Sequence, residues 1–534
     1  MYKQNFVTSA LPYANGFLHL GHILEFIQTD IWVKFKNFNG KMCFYFSGVD
    51  AHGTPIMLKS LDKQINPENL ISNFFLAYKA NLSFFNINCD NFYRTNSYEN
   101  EMFSRKFFFK LYEKKLLFIK NISQFYDNHL NLFLPDRYIM GTCPACKAHN
   151  QYGDICNQCN FNYLATDLIN PISKLSGKRP EEKASKHYFF KLKNFSNFLK
   201  QWCSLTLTQS QVLNKLKEWF SIGLNDWDIS RDMPYFGIKI PLEYEKFFYV
   251  WADAPLGYFA SAQNYFKNFN INFIDIFLKK KNLNFYHFIG KDIIYFHSLF
   301  FPSMLVALKF KLPKDIFTHG FLTVNGLKMS KSSNTFILAD DLSGKVRSDF
   351  LRFYLASKLH NGLSDIDFSF TELCNSVNSN LIGKFFNIIS RVTKILSVYY
   401  DSFLSDRIDS AILFDEFLEL KNVVFDNYNN RNYSKVINLI LHYADKINIY
   451  LDKEKPWYLV KDKLTMLKGH NVCTAALNLF LILLYYLGPV IPETRSKIQK
   501  CFNLDLNKFF MEKKPLVSIR FNKYECFIQK IKNE

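Results

Sequence analysis

The sequence has no long uninterrupted hydrophobic run and no pattern typical of a secretory leader. Its longest strongly apolar stretch, Leu479 to Leu487, is shorter than the ~20 residues that a membrane-spanning helix needs. No basic start followed by an apolar segment precedes the first predicted strand. We therefore expect a soluble, cytoplasmic protein that has no membrane partner.

Two further absences narrow the class of protein. The chain has no internal repeats, so a repeat architecture is not indicated. It also has no G-x-G-x-x-G dinucleotide fingerprint. Of its 11 cysteines, seven occur singly in apolar or helical surroundings, including Cys43, Cys89 and Cys374. Such residues are typical of reduced core thiols, which favours a reducing compartment.

At 534 residues the chain is too long for one hydrophobic core, and two to four domains are expected. An apolar fraction of 48% with 18% aromatic residues supports well-filled interiors. The formal charge of +19 is compatible with an RNA partner. Lysine, asparagine, phenylalanine and isoleucine are raised throughout the chain, however, so basicity alone does not decide for RNA.

The order of predicted elements indicates an interrupted α/β sheet followed by helices. Strands are predicted at 6–11, 42–48, 247–251, 284–290 and 316–320, with helices at 17–37 and 211–222. The character changes between about 117 and 230, which indicates an insertion. Apolar residues at helical spacing then predict an all-α region: Leu373, Val377, Leu381, Phe385 and Ile388. The predicted divisions are 1–116, 117–230, 231–325, 326–370 and 371–534.

Two short segments far apart in the chain are predicted to form one ATP site. His19-Leu20-Gly21-His22 follows a strand and a turn and opens a predicted helix, whose N-terminus favours anions. Gly21 leaves room for a nucleotide against the backbone. Lys328-Met329-Ser330-Lys331-Ser332 follows the turn signal Asn325-Gly326 and carries two ammonium groups suited to phosphates. Each motif alone is weak, but together they indicate a nucleotide-activating enzyme.

Four cysteines form two C-x-x-C hooks separated by nine residues: Cys143, Cys146, Cys156 and Cys159. Four thiolates at this spacing favour one tetrahedral Zn²⁺. All four ligands come from the protein, so no coordination position is left for water. We therefore expect a structural zinc knuckle that depends on its metal for stability.

With these pieces in order, the chain resembles the methionyl-tRNA synthetase family of class I enzymes over nearly its whole length. The longer matches are the segments 10–16, 50–55, 227–232, 288–292 and the knuckle. The resemblance implies an α/β fold: a Rossmann-like parallel-sheet catalytic domain in two halves (1–116 and 231–325) with a zinc-knuckle insertion (117–230). A KMSKS loop and stem-contact region (326–370) and an all-α anticodon-binding domain (371–534) would follow.

The resemblance also implies roles for individual residues. His19, His22, Lys328 and Lys331 would be catalytic, and Gly21, Gly290 and Asp292 would join them in binding ATP with Mg²⁺. Asp50 would hold the α-ammonium of methionine. The methionine side chain would be surrounded by Leu11, Tyr13, Trp251, Ala254, Pro255, Tyr258, Ile293 and His297. Arg231 is expected to be a ligand or ion-pair partner near the site.

Asn387, Arg391 and Trp457 are implied to read the CAU anticodon of tRNA(Met), since splayed bases are held by aromatic faces and polar side-chain edges. The chain differs from longer family members, which carry a C-terminal tRNA-binding and dimerisation module after position 534, so we expect a monomer. The insertion of about 115 residues is too small for a knuckle and an editing domain together, so proofreading would occur in the synthetic site.

Three alternatives stay open at this stage. The first is a class I synthetase for a branched aliphatic amino acid or cysteine, against which the short insertion and the knuckle argue. The second is an RNA-binding protein that has lost its chemistry, against which His19, His22, Lys328 and Lys331 argue. The third is a nucleotidyltransferase that uses no RNA, against which the helical region argues.

Overall fold

The computed structural model describes residues 4–153, 156, 158–159, 161, 163–233, 235–243, 245–279, 283–329, 335–522 and 529–532. The strands are β1 (Gln4–Ser9), β2 (Cys43–Val49), β3 (Asn91–Arg94), β4 (Leu117–Asp127), β5 (Leu132–Phe133), β6 (Ile139–Thr142), β7 (Gln151–Tyr152), β8 (Ile169–Ser173), β9 (Glu181–Phe190), β10 (Trp227–Asp228), β11 (Ser230–Asp232), β12 (Lys246–Phe248), β13 (Leu283–Gly290), β14 (Asp315–His319), β15 (Leu322–Val324), β16 (Leu327–Lys328) and β17 (Ile366–Phe368).

The helices in the first part of the chain are α1 (Leu20–Phe38), α2 (Thr54–Asp62), α3 (Pro67–Phe84), α4 (Tyr98–Glu113), α5 (Ser196–Thr206), α6 (Ser210–Ile222), α7 (Val250–Asp253), α8 (Gly257–Lys267), α9 (Phe273–Lys279) and α10 (Phe301–Ala307). Those that follow are α11 (Ala339–Leu342), α12 (Ser348–Lys358), α13 (Phe370–Ser376), α14 (Asn387–Tyr399), α15 (Ala411–Glu419), α16 (Lys421–Asn429), α17 (Tyr433–Glu454), α18 (Pro456–Leu459), α19 (Met466–Leu487), α20 (Pro492–Cys501) and α21 (Leu506–Glu512). Two π-helical segments span Phe296–Phe300 and Val377–Phe386.

A five-stranded parallel sheet forms the centre of the molecule, with the strand order β14-β13-β1-β2-β3. Phe6 of β1 lies opposite Phe44 on one side and Phe285 on the other. Because all five strands run in one direction, their carboxyl ends meet at one edge of the sheet, where ligands bind in open α/β folds. The chain leaves this sheet after β3 and returns to it at β13, and the five strands still form one sheet. This agrees with the interrupted strand pattern predicted from the sequence.

The inserted region contains its own antiparallel sheet, in the order β10-β9-β4-β5. A smaller sheet, β7-β6-β8, lies beside the cysteine hooks. Further along, β15 and β16 form a hairpin whose turn residues Asn325 and Gly326 have φ of 50° and 77°. Two consecutive left-handed residues are typical of a type I′ turn, so the predicted Asn-Gly turn is confirmed.

Helices account for nearly all the described chain beyond residue 370, as predicted. The predicted apolar stripe from Leu373 to Ile388 is buried and runs from α13 through the π-helical segment into α14. Within the described residues, one helix, α19, is long and apolar enough to cross a membrane by length and composition. Its apolar window is 89% buried inside the protein. The run Leu479 to Leu487 is thus the end of a 22-residue core helix.

Most predicted elements are confirmed within two or three residues, but the strand predicted at 247–251 is wrong in its second half. The strand β12 ends at Phe248, and α7 begins at Val250. The backbone N–H of Ala252 donates to the carbonyl of Tyr249 at 2.7 Å, which starts a helical turn. The apolar run is continuous because both the strand and the helix are packed against the core.

Candidate active site

A cleft of about 1460 Å³ lies at the carboxyl edge of the central sheet. It brings together most of the residues predicted for ATP and amino-acid binding. Those that line it are Leu11, Tyr13, His19, Gly21, His22, Asp50, Arg231, Trp251, Gly290, Asp292, Ile293 and Lys328. Residues from β4, β5 and the loop after them form the wall on the side of the insertion.

The two histidines form a reciprocal cap at the start of α1. The backbone N–H of Gly21 donates to Nδ1 of His19 at 3.1 Å, and the N–H of His19 donates to Nδ1 of His22 at 3.2 Å. Their rings stack with centroids 3.7 Å apart. His19 is therefore the N-cap of α1. It lies just before the first helical turn, whereas the sequence predicted it within that turn.

Both imidazoles are neutral at neutral pH. Burial lowers the pKa of His19 to about 4, and burial with the neighbouring His19 ring lowers that of His22. A nitrogen that accepts a hydrogen bond carries no proton, so each neutral ring carries its proton on Nε2. The pair thus offers two neutral N–H donors at the positive end of a 19-residue helix.

Backbone hydrogen bonds join the two halves of the predicted ATP site. The N–H of Leu20 donates to the carbonyl of Ile337 at 3.0 Å, and that of Ala339 donates to Leu18 at 2.8 Å. A Cβ added to Gly21 would lie 3.3 Å from the end of the Met329 side chain and 3.0 Å from the His19 ring. Gly21 thus permits both the folded-back histidine and the close approach of Met329.

Lys328 is exposed at the end of β16, on the hairpin that precedes the loop. The predicted catalytic Lys331 lies outside the described residues. At the opposite wall, Gly290 ends β13, and an added Cβ there would be 2.6 Å from Oδ1 of Asp292. Gly290 is therefore required for the Asp292 carboxylate to lie against the strand end.

Asp50 is a buried carboxylate on the cleft wall, and its Oδ1 has no hydrogen-bond partner in the part of the chain that the structure describes. Burial raises its pKa well above the usual value, and the negative charge of Asp253 adds to this effect. The bridge between Tyr13 and Asp50 fixes the backbone, with the N–H of Ala14 donating to the carbonyl of Asp50 at 2.8 Å. An unsatisfied buried acceptor of this kind favours a cationic ligand.

The predicted methionine pocket divides into two layers. Leu11, Tyr13, Trp251 and Ile293 lie on the cleft wall, whereas Ala254, Pro255, Tyr258 and His297 are buried and do not line the cleft. The hydroxyl of Tyr258 lies 2.9 Å from Nε2 of His297, whose Nδ1 lies 3.1 Å from the carbonyl of Ile293. Because a carbonyl can only accept, His297 donates from Nδ1 and accepts from Tyr258.

Arg231 lies on the cleft wall and is paired, as expected, through its Nη1 to Asp228 at 3.1 Å. Its guanidinium carbon lies 3.7 Å from the centre of the Tyr249 ring. A guanidinium has five N–H donors, and the bonds to Asp228 and to the carbonyl of Ser230 both use Nη1. Donors therefore remain for an anion in the cleft.

The four predicted metal ligands converge, and their sulfur atoms lie within 4.8 Å of one another. The separations Cys143–Cys159 and Cys146–Cys156 are 3.9 and 3.5 Å. Zn–S bonds of ~2.3 Å in a tetrahedron separate the sulfurs by about 3.8 Å, so the cluster fits zinc. Desolvation opposes ionisation of Cys156, but hydrogen bonds from the N–H groups of Cys159 and Gln158 outweigh it and lower its pKa to about 6.

In the helical region, the guanidinium carbon of Arg391 lies 4.6 Å from the centre of the Trp457 ring. Nη2 of the same guanidinium pairs with Oδ1 of Asp452 at 3.0 Å. Asn387 begins α14, one turn before Arg391. Trp457 follows Pro456 at the start of α18, as predicted. All three predicted anticodon residues are partly exposed, so a half-open aromatic and cationic surface is available there.

Comparison with known proteins agrees with this geometry. Residues 5–393 match the family model described as tRNA synthetases class I (M). A methionine–tRNA ligase of Buchnera aphidicola (Acyrthosiphon pisum, strain APS) is 43% identical over 525 residues, 98% of this chain and 96% of the relative. That of Thiobacillus denitrificans is 44% identical over 94% of this chain and 73% of the relative. This chain belongs to the methionine–tRNA ligase family of class I tRNA synthetases.

Solved structures support the fold of this family member. The methionyl-tRNA synthetase of Mycobacterium tuberculosis in complex with methionyl-adenylate is 21% identical, with a TM-score of 0.80 and 99% of both chains covered. Its free form has a TM-score of 0.72 at 20% identity, over 98% of this chain and 99% of that one. The family assignment removes a synthetase for another amino acid and an RNA-independent nucleotidyltransferase from the alternatives. The presence of His19, His22 and Lys328 at one cleft argues against the remaining alternative, an RNA-binding protein that has lost its catalytic activity.

Several polar residues at the site were not predicted. Glu25 accepts from the N–H of Ala10 at 2.6 Å and lies 3.2 Å from Nε2 of His319, holding the ends of β1 and β14 together. His52 pairs with the buried Asp253 at 2.7 Å. The segment 50–55 was recognised, but nothing in the spacing of Asp253 indicated that it would lie beside this segment.

Proposed function

We propose that this chain is a methionine–tRNA ligase that activates methionine with ATP to methionyl-adenylate and pyrophosphate, and then transfers methionine to initiator and elongator tRNA(Met). The observation that carries the proposal is a single cleft that contains a helix N-terminus with two neutral imidazole donors, together with Asp50, whose Oδ1 has no hydrogen-bond partner among the described residues. ATP phosphates and an amino-acid ammonium are the ligands that such donors and acceptors recognise.

In the activation step the methionine carboxylate attacks the α-phosphorus in line and pyrophosphate leaves. Negative charge grows on phosphate oxygens, and fixed donors stabilise it because they need no reorganisation. Nε2–H of His19 and His22 would donate to these oxygens, with Gly21 allowing contact and Asp292 lying near the adenosine. Lys328 and Lys331 would neutralise the leaving pyrophosphate. Mg²⁺ bound with ATP would supply further neutralisation of the phosphate charge.

Asp50 would pair with the α-ammonium of methionine, which orients the carboxylate toward the phosphate. The thioether side chain would contact Leu11, Tyr13, Trp251 and Ile293, an aromatic and apolar surface suited to a polarisable, unbranched chain. The buried layer of Ala254, Pro255, Tyr258 and His297 would support that surface. Trp251 also stacks on Phe296, with ring centroids 4.1 Å apart.

The helical region would read the anticodon. Trp457 offers an indole face for a base, and Arg391 lies over the same ring. Asn387 would add amide hydrogen bonds one turn earlier. The metal held by Cys143, Cys146, Cys156 and Cys159 would be one structural Zn²⁺ per chain, because a closed set of four thiolates leaves no position for substrate.

We further propose a monomeric, cytoplasmic enzyme with the domain divisions expected from the sequence. One set of assays tests the central proposal. ATP–pyrophosphate exchange is measured with each of the twenty amino acids, followed by charging of tRNA with the preferred one. Methionine-dependent exchange and charging of tRNA(Met) are expected, and exchange with a different amino acid alone would contradict the proposal. Light scattering of the full chain measures its molar mass and so tests whether it is a monomer.

A further inference from the structure

A buried polar cluster lies directly behind Arg231 and is built around His187 of β9. The ring of His187 has no exposed surface, with Nδ1 2.7 Å from Asp228 and Nε2 2.7 Å from Asp232. Ser185 and Lys246 contact the same Asp232 carboxylate. Asp228 also accepts from Arg231 at 3.1 Å through the oxygen, Oδ2, that faces His187.

Both ring nitrogens of His187 face carboxylates, so both act as donors and the ring is an imidazolium. Burial alone would lower its pKa, but the hydrogen bonds and charges of Asp228 and Asp232 outweigh burial and raise it. Without this cation, Asp228 would keep the N–H and hydroxyl of Ser230 on Oδ1. Among the described residues its one charged partner would then be Arg231, and the guanidinium would be drawn toward the carboxylate. With the imidazolium, Asp228 is shared between two cations and held at a fixed place.

We infer that His187 is a positioning residue for the activation reaction: through Asp228 it holds the Arg231 guanidinium at the cleft wall. The inserted region, which contributes β9, thereby supplies part of the active-site geometry. Arg231 lies on the cleft wall above Tyr249, whereas His187 does not line the cleft. The inference rests on the proposed function and adds to it a contact of the Arg231 guanidinium, which lies on the cleft wall, with the reacting phosphate or carboxylate.

The test uses the full chain and measures kcat and methionine KM in ATP–pyrophosphate exchange. His187→Ala is expected to lower kcat about tenfold or more, because small displacements of a positioned group can cost up to ~100-fold. His187→Gln keeps donor capacity without the charge, and its kcat is expected to lie between that of His187→Ala and that of the unaltered chain. Ser185→Ala is the matched control, since Ser185 lies on the same strand and contacts Asp232 alone of the two carboxylates. It should leave kcat within about twofold.

A purely structural role would give the same losses whether or not Arg231 is present, so each variant is also made with Arg231→Lys. In that background, His187→Gln and His187→Ala should have little further effect on kcat. The inference would be overturned if the His187 changes lowered kcat by the same factor in both backgrounds. It would also be overturned if both His187 variants had normal kcat while the Arg231→Lys enzyme was impaired. A normal Arg231→Lys enzyme would overturn it too, by removing the role of Arg231. Absence of methionine-dependent exchange in the unaltered chain would instead refute the proposed function.

Should His187→Ala fail to fold, as judged by thermal melting, the larger His187→Gln variant and the coupling with Arg231→Lys decide the question.

Discussion

The backbone N–H of Leu20, in the first turn of α1, donates to the carbonyl of Ile337 at 3.0 Å. More than 300 positions separate these residues, yet Leu20 belongs to the first of the two motifs that predicted an ATP site, and Ile337 follows shortly after the second. The isolated β-bridge between His19 and Leu338 continues the same contact. The histidine donors and the segment after the lysine loop are therefore held in one place by the backbone.

The first prediction concerns Lys328. A hydrogen bond to a charged group contributes about 1.5–3 kcal/mol, so Lys328→Ala is expected to reduce kcat of ATP–pyrophosphate exchange roughly 10- to 100-fold. Methionine KM should change little, because the charge that Lys328 meets grows in the transition state. Lys345→Ala, an exposed lysine just after α11, serves as the control. Loss of methionine affinity with unchanged kcat would contradict the role.

Asp50 provides a pH-dependent test. Its folded-state pKa is raised by burial and by Asp253, so the carboxylate becomes protonated as the pH falls through that raised value. Methionine KM is then expected to rise on the acid side. In Asp50→Asn the KM should be high at every pH, with its acid limb gone. Asp349→Asn, a change at another buried carboxylate with a raised pKa, should leave the KM profile unaltered.

The same shift has a consequence for stability. An acid with a raised folded-state pKa favours the folded state when it is protonated, and this contribution is lost as the pH rises through the pKa. At a pH above the unfolded-state pKa, the Asp50 carboxyl therefore costs free energy of folding. Asp50→Asn is expected to melt at the same temperature as the unaltered chain or higher, and a clear fall in its Tm would argue that Asp50 has a structural partner.

Removal of the proposed zinc should affect the insertion more than the ATP site. Cys146→Ser is expected to lose the bound metal, measured as zinc per chain, and to make the segment around 143–159 more sensitive to protease. ATP KM should stay within a few fold, because the ligand set is closed. Cys501→Ser, a thiol outside the cluster, is the control. Native protease resistance in metal-free protein would refute the structural role.

Trp457→Ala separates the two substrates of the enzyme. Base stacking on an aromatic ring is worth ~1–3 kcal/mol, so charging of tRNA should fall roughly tenfold or more while methionine activation hardly changes. Trp457→Phe keeps a stacking face and should recover part of the charging activity. A parallel fall in pyrophosphate exchange would mean that Trp457 supports the fold, since it also packs against the main core.

Arg352 is expected to be important for stability. Its fully buried guanidinium pairs with Asp30 at 2.7 Å and donates to carbonyls of Phe85, Pro489 and Val490. Arg352→Leu removes one of the two cations that pair with the buried Asp30, the other being Lys34, and leaves buried carbonyls without their donor. It should lower the free energy of unfolding by about 3–5 kcal/mol. Urea unfolding measures the change. Arg105→Ala, which removes an exposed helical ion pair with Glu101, should cost about 0.5 kcal/mol or less.

Local patterns were sufficient wherever the deciding interactions lie within a few residues. The start of α1, the Asn325-Gly326 turn and the convergence of Cys143 with Cys156 could be predicted, because caps, turns and metal hooks depend on near neighbours in the chain. The strand at 247–251 was wrong in part for the same reason: an apolar run shows burial but does not distinguish strand from helix.

Contacts across the chain were decided by the tertiary structure alone. The unpartnered Oδ1 of Asp50, its neighbour Asp253, and the Arg352–Asp30 pair depend on which strand ends and helices are brought together. The hydrogen bond between the buried Tyr258 and His297 also depends on packing across the chain. The contact of both residues with methionine stays a prediction. Composition and spacing can name the groups that do chemistry, but desolvation and pairing set their charges, and both depend on neighbours distant in the chain.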